Sequence, residues 1–257
     1  MTVPSRVLAI MQLFLEDQRV WTAEAMGRAL DVSTSTAYRY VKELCAAGIL
    51  DPVVGAGYAL GPAIMQYDYR LRETDPIIQA ARPVMEGLIG QTDQRLDAIL
   101  CRRFRDCVLC IHQENGSNPH PPTTYARGVA MPLFLGATSK VILAHLPAKG
   151  LQRLYLENES KIRERLPDAS WKSFKDQLAI IRRDGYCLTQ SEIAQGRVGL
   201  AAPIFNLGQI VASISLVMEV STFEDLSRRL PVFDIVRAAS TEISDRLQDS
   251  GAEVARS

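Results

Sequence analysis

The stretch from Val198 to Val220, VGLAAPIFNLGQIVASISLVMEV, carries one charged residue, Glu219, along its whole length. Length alone would permit such a run to span a membrane. Pro203 and Asn206-Leu207-Gly208 interrupt it near its middle, however. Two β-rich strands joined by a tight turn fit these residues better, so the run predicts a hairpin and no membrane partner.

The rest of the chain gives that hairpin ample company. With 257 residues, 47% of them apolar, the chain can build one large or two modest domains. The formal net charge is zero, so affinity for nucleic acid must come from local arrangement. Five cysteines, an odd number, read as reduced thiols of a cytoplasmic protein. Cys107 and Cys110 stand in a C-x2-C spacing with Cys101 nearby, but a metal site needs further ligands. His112, His120 and His145 lie at no ligand spacing, and residues 101–112 read better as two strands across a turn at Arg105-Asp106. No metal and no cofactor are expected. At the N-terminus an apolar run from Val7 to Leu15 is followed by Glu16, Asp17 and Arg19, where a signal peptide would carry small residues.

Periodicity organises the first sixty residues. Val7, Ile10, Met11 and Phe14 form one helical stripe within residues 5–17. Thr22 can cap a second helix, with Met26 and Leu30 inward and Arg28 outward. A third helix begins at Ser33 or Thr34, turns Ala37, Val41 and Leu44 inward, and stops at Gly48. Two short β-like pieces around Gly55-Ala56-Gly57 follow. Three short helices and a hairpin make a winged helix-turn-helix pattern. Residues 62–72 read as a helical connector, and Asp75-Pro76 starts a helix reaching about Gln91. Strands are expected at about 96–104, 107–114 and 123–127, the last after the loop NPHPP. Helices at about 137–146, 150–157 and 170–184, the hairpin, and a terminal helix at about 223–248 complete an α+β chain.

On the third helix, Ser35, Tyr38, Arg39 and Lys42 fall at i, i+3, i+4 and i+7, one face opposite the apolar stripe. Arginine can pair bidentately with guanine in the major groove. Thr34, Ser35 and Thr36 lie where free helix N–H groups favour phosphate, and Lys42 suits a phosphate contact that positions without specifying. Against this, residues 1–60 hold six acidic and five basic side chains, and the wing has neither Lys nor Arg.

The order STSTAYRYVKELCAAGIL…YALG resembles the DNA-binding segment of IclR-type bacterial transcription regulators. GVAMPLFLGATSKVILAHLP and GYCLTQSEIAQGRVGLAAPIFNLGQIVASISLV resemble successive effector-domain segments of that family, in order and near the family's spacing. The resemblance implies a winged helix-turn-helix over residues 1–61, a helical linker over 62–75, and a GAF-like effector and oligomerisation domain over 76–257. It implies double-stranded operator DNA and a small carboxylic acid effector as partners, and a homodimer or homotetramer. For the effector it points to backbone N–H groups at Ala137 and Thr138, to Thr189, Gly199 and Ser215 around them, and to Met131, Leu133 and Leu135 as an apolar wall. Phe134, Gly199 and Val217 stand where the family commonly has His, Cys and Ser, so a roomier and more apolar pocket is expected, for an aromatic or otherwise largely apolar acid.

Two other readings compete. A GAF-like fold can host thiol redox chemistry, here at Cys101, Cys107 and Cys110, and a ligand-binding protein without DNA contact would suit the acidic balance of residues 1–60. No nucleophile elbow, phosphate-binding glycine loop or metalloprotease motif supports an enzyme.

Overall fold

The computed structural model describes residues 3–16, 18–92, 95–117, 126–165 and 170–254. The chain divides into two compact units, Met1–Glu73 and Thr74–Ser257.

In the first unit, α1 (Val3–Leu13), α2 (Ala23–Ala29) and α3 (Thr34–Ala46) precede a two-stranded hairpin, β1 (Leu50–Val53) and β2 (Gly57–Leu60). α1 ends four residues earlier than its periodicity suggested. Each of the next two helices starts on a side-chain cap: Thr22 Oγ1 accepts from Ala25 N at 3.1 Å, and Ser33 Oγ from Thr36 N at 3.3 Å. Ile10, Met26, Val41 and Leu44 meet Trp21 and Leu50 in one core, as the helical stripes require. Tyr40 joins them at 2% exposure, an inward residue its polar tip concealed. The hairpin is held to the helices through Trp21, whose N–H and C=O exchange bonds of 3.0 and 2.9 Å with Tyr58. Gly57 makes that approach possible: its φ is +128°, and a Cβ there would stand 2.6 Å from the Trp21 carbonyl oxygen. The linker helix α4 (Ala63–Thr74) buries none of its residues.

The second unit is a six-stranded antiparallel sheet ordered β5-β4-β3-β8-β7-β6. Its strands are β3 (Leu96–Phe104), β4 (Cys107–Asn115), β5 (Ala130–Pro132), β6 (Cys187–Gln190), β7 (Arg197–Asn206) and β8 (Gln209–Glu219). The apolar run of the sequence is the β7–β8 hairpin, turned at Leu207 and Gly208, both with positive φ (49° and 75°). Alternation assigns its two faces. Leu200, Ala202, Ile204, Ile214 and Leu216 join Leu96, Ala98 and Leu100 beneath α5 (Pro76–Gln91) and α11 (Val232–Val254). Ala201 and Val217 join Ile99 and Cys101 in a second core on the other face, beneath α6 (Gly136–Ala144), α7 (Ala148–Glu157) and α9 (Trp171–Asp184). With both faces covered, the strands need no polar alternation, which is why the run reads as nearly uncharged. β6 pairs with β7 only as far as Ala201, so Pro203 stands beyond its reach, where a missing N–H is tolerated.

Several expectations are corrected. The single terminal helix is two, α10 (Val220–Arg229) and α11, because Pro231 holds Leu230 extended at φ −134°. The short edge strand β6 and the helix α8 (Glu159–Arg165) lay in stretches read as connections. The strand expected at 123–127 falls mainly outside the described residues, as does the NPHPP loop; Ala126 and Arg127 are not in a strand, and β5 is at 130–132.

Candidate functional site

Two places in the chain concentrate exposed or preorganised polar groups, one in each unit. In the first, α3 displays Thr34, Ser35, Tyr38, Arg39 and Lys42 to solvent, with Thr36 half-buried, while Ala37, Tyr40, Val41 and Leu44 face the core. The face drawn from spacing is therefore intact. The hydroxyls of Ser35 and Thr36 lie 3.1 and 2.8 Å from Ser33 Oγ, which tightens the helix start. Tyr38 donates its hydroxyl to Glu24 Oε1 of α2 at 3.2 Å, an anchor that spacing within α3 did not reveal. This bond raises the Tyr38 pKa and helps lower that of Glu24, whose backbone hydrogen bond is the larger cause. Arg39 leans over the Tyr40 ring, its Cζ 5.4 Å from the centroid. The turn before α3 is tight: Val32 N donates to Gly27 O at 2.9 Å, and a Cβ on Gly27 would lie 3.1 Å from Val32 O.

In the second unit the first turn of α6 is the preorganised element. Gly136 opens it with φ +78°, a conformation that brings two successive N–H groups to one side. Both are occupied. Gly136 N donates to Glu192 Oε2 at 3.0 Å and Ala137 N to Thr189 Oγ1 at 3.1 Å. The other Glu192 oxygen meets Lys140 Nζ at 2.5 Å. Deeper in, Thr138 Oγ1 and Ser215 Oγ share a bond of 2.7 Å, at exposures of 2% and 0%. Ser213 Oγ donates to Thr138 O at 3.3 Å. Gly199 and Val217 line the cavity beside Ala137 and Thr138.

The structure therefore brings Ala137, Thr138, Thr189, Gly199 and Ser215 together. It does not bring the three apolar residues to the same cavity. Leu133 and Leu135 line a separate space of about 360 Å³ with Phe134, Asn158, Lys161 and Ile162. Met131 is buried on β5 opposite Val108. Phe134 packs on Phe174, with centroids 5.9 Å apart. The cavity at the start of α6 is also not roomy. Its volume is about 30 Å³, space for a water molecule or two. Glu192, Ile193 and Ala194 of the β6–β7 turn line it together with Gly199 and Val217. Sequence reasoning missed Glu192 and Lys140 as a pair. The available signal was a lysine inside a helix all of whose other residues are buried, which implies an anionic partner.

Of the three neighbouring cysteines, Cys107 is half-buried and the other two are buried. Cys101 and Cys110 face each other across β3 and β4, both buried. Burial pushes the Cys101 thiol far above its ordinary pKa, and burial also raises Cys107 despite Arg105. Cys110 is lowered, chiefly by its bond with Cys101. Among the described residues no three His, Cys, Asp or Glu side chains group as metal ligands, and no helix is long and apolar enough to cross a membrane.

Residues 71–245 match the family described as bacterial transcriptional regulator IclR C-terminal, and residues 6–59 match an HTH domain. The chain is 26% identical over 244 residues to the HTH-type transcriptional regulator KipR of Bacillus subtilis, covering 93% of this chain and 94% of that protein. Its fold is similar to that of the IclR transcriptional regulator of Alicyclobacillus acidocaldarius, with TM-score 0.79 and 18% identity, covering 96% of this chain and all (100%) of that one. It is similar too to an IclR homologue from Microbacterium hydrocarbonoxydans solved with 4-hydroxybenzoate, with TM-score 0.74 and 24% identity, covering 96% of this chain and 99% of that one. A winged helix-turn-helix followed by this effector-type sheet, matched in order across the chain, places it among regulators rather than enzymes: the chain belongs to the IclR family of DNA-binding bacterial transcriptional regulators.

Proposed function

We propose that this regulator reads double-stranded operator DNA with α3 and that a small carboxylic acid with an aromatic or otherwise largely apolar body modulates its binding from the start of α6. The observation that carries the reading is the division of α3 into a buried stripe and a solvent-exposed face of Ser35, Tyr38, Arg39 and Lys42. Arg39 reads a base edge and Lys42 a phosphate. Ser35 and the first N–H groups of α3 add phosphate contacts. The acidic balance of residues 1–60 is relieved if two copies present their α3 faces together, as a homodimer or homotetramer acting in the cytoplasm. α4 supports pairing, since Met65, Tyr67 and Tyr69 are 75%, 62% and 62% exposed on it.

The effector half rests on the donors at Gly136 and Ala137, the hydroxyls of Thr138, Thr189 and Ser215, and the buried cation Lys140. The relative solved with 4-hydroxybenzoate supports an aromatic acid as the class. A duplex selected from a random-sequence pool, followed by mobility shift with and without benzoate and 4-hydroxybenzoate, tests both halves. Sequence-selective binding that either acid shifts agrees with the proposal. Absence of any selected sequence refutes the DNA half, and an operator affinity indifferent to both acids refutes the aromatic-acid half.

A further inference from the structure

The start of α6 already holds a carboxylate, and that carboxylate belongs to the chain. Glu192 bridges two donors of one helix, with one oxygen on the Gly136 N–H at 3.0 Å and the other on Lys140 Nζ at 2.5 Å. Lys140 is deeply buried, its side chain 9% exposed, and Glu192 is its ion-pair partner. Glu192 is delivered by a self-contained turn between β6 and β7. Ser191 has φ 58° and Gly196 φ 73°, and Ser191 Oγ accepts from Gly196 N at 3.1 Å. Glu192 lines two spaces. One is the cavity of about 30 Å³, the other a cleft of about 270 Å³ lined by Lys140, Ile180, Tyr186, Cys187 and Leu188. Thr189 and Glu192 line both.

We infer that Glu192 is a tethered stand-in for the effector's carboxylate, and that an acid binds by exchanging with it on Gly136 N and Lys140 Nζ while the Ser191–Gly196 turn swings outward. This deepens the proposed effector site and rests on that reading. Three observations lead to it. The space at the helix start admits water but no acid, so something must leave before an acid enters. Glu192 is the group whose departure frees two donors arranged for the two oxygens of one carboxylate. A buried Lys140 stripped of its anion is strongly disfavoured, so only another anion can complete the exchange. The device accounts for selectivity without a large polar shell: a neutral amide of the same shape cannot release Glu192. It also couples occupancy to movement, because the outgoing turn joins β6 to β7 on the sheet.

The test is calorimetry on full-length protein with benzoate, 4-hydroxybenzoate and their amides, comparing wild type, Glu192→Gln and Glu192→Asp. Glutamine keeps the shape and removes the competing charge; aspartate keeps the charge on an arm too short to bridge both donors. If Glu192 fills the site for about 90–99% of the time, freeing it tightens an acid by roughly 10- to 100-fold. Expected are tighter acid binding by Glu192→Gln, intermediate binding by Glu192→Asp, and no gain for the amides. The ligand-free Glu192→Gln protein should also melt lower than wild type and recover with added acid, a readout that holds if its fold is weakened. Wild-type protein that binds the acids as tightly as, or more tightly than, both variants overturns the exchange and leaves the effector site standing. Failure of both acids to bind wild type and both variants overturns the exchange together with the aromatic-acid reading.

Discussion

Removing the hydroxyl of Ser215 should destabilise the second unit, and a second substitution at its partner should add little further cost. The bond between Thr138 Oγ1 and Ser215 Oγ, 2.7 Å long, ties the first turn of α6 to the centre of β8, and both residues are almost wholly buried. Ser215→Ala leaves the Thr138 hydroxyl without its partner away from water. A buried polar group stranded in this way costs about 1–3 kcal/mol, whereas the intact bond contributes only about 0.5–1.5 kcal/mol net. Thr138 can turn its hydroxyl toward its own helix backbone, so the lower part of the range, about 1–2 kcal/mol, is the expected cost. Thr138→Val strands Ser215 at a similar cost. The double variant strands neither and should resemble a single one, so the two effects fall short of additivity by about 1 kcal/mol. For a unit of this size each kcal/mol moves Tm by about 2–4 °C, and each single variant should therefore melt about 2–8 °C lower. Thermal and urea unfolding of all four proteins make the cycle. Additivity within about 0.5 kcal/mol would refute the claim that these hydroxyls satisfy each other.

Other expectations follow from single positions. Gly57→Ala forces a Cβ to within 2.6 Å of the Trp21 carbonyl at φ +128°, so unfolding of the first unit should weaken by about 1–3 kcal/mol, while Gly55→Ala, with open space at φ +72°, should cost less when both are measured by urea unfolding. Burial, only partly offset by Lys140, pushes the Cys187 thiol up to about 12, against 9.0 for an ordinary thiol. The folded chain thus keeps this proton where the unfolded chain loses it, so stability is unaffected by Cys187 near neutrality and falls as pH rises from about 9 toward 12. Cys187→Ala should flatten that alkaline decline, and a decline of unchanged slope in unfolding measured from pH 7.5 to 10.5 would contradict the assignment.

How much of this was legible depended on the range of the interactions. The stripes of α1 to α3 repeat every turn, so Ile10, Met26, Val41 and Leu44 could be placed inward, and the opposite face of α3 followed by geometry. Tyr40 could not, because a tyrosine on such a face suits solvent or core equally. The β7–β8 hairpin was readable from its apolar run and its Asn-Leu-Gly turn. β6 was not: Cys187–Gln190 is a short edge strand whose pairing with β7 is dictated by the sheet. The break before α11 carried a local signal, Pro231, masked by apolar spacing that continues through it. At the candidate effector site Ala137, Thr138, Thr189, Gly199 and Ser215 lie near one another, whereas Leu133 and Leu135 line another cavity and Met131 is buried on β5. The Glu192–Lys140 pair joins positions 52 residues apart, and no periodicity encodes that.

The most direct test of the central claim is a mobility shift on the selected duplex and on a scrambled one, with wild type, Arg39→Ala and Lys42→Ala across a salt series. Arg39→Ala should lose about 1–3 kcal/mol on the selected duplex and less on the scrambled one, narrowing the difference between them. Lys42→Ala should weaken both about equally and reduce the salt slope by about 1. Arg39→Ala protein that keeps wild-type affinity and wild-type sequence preference would contradict the assignment of α3 as the element that reads DNA.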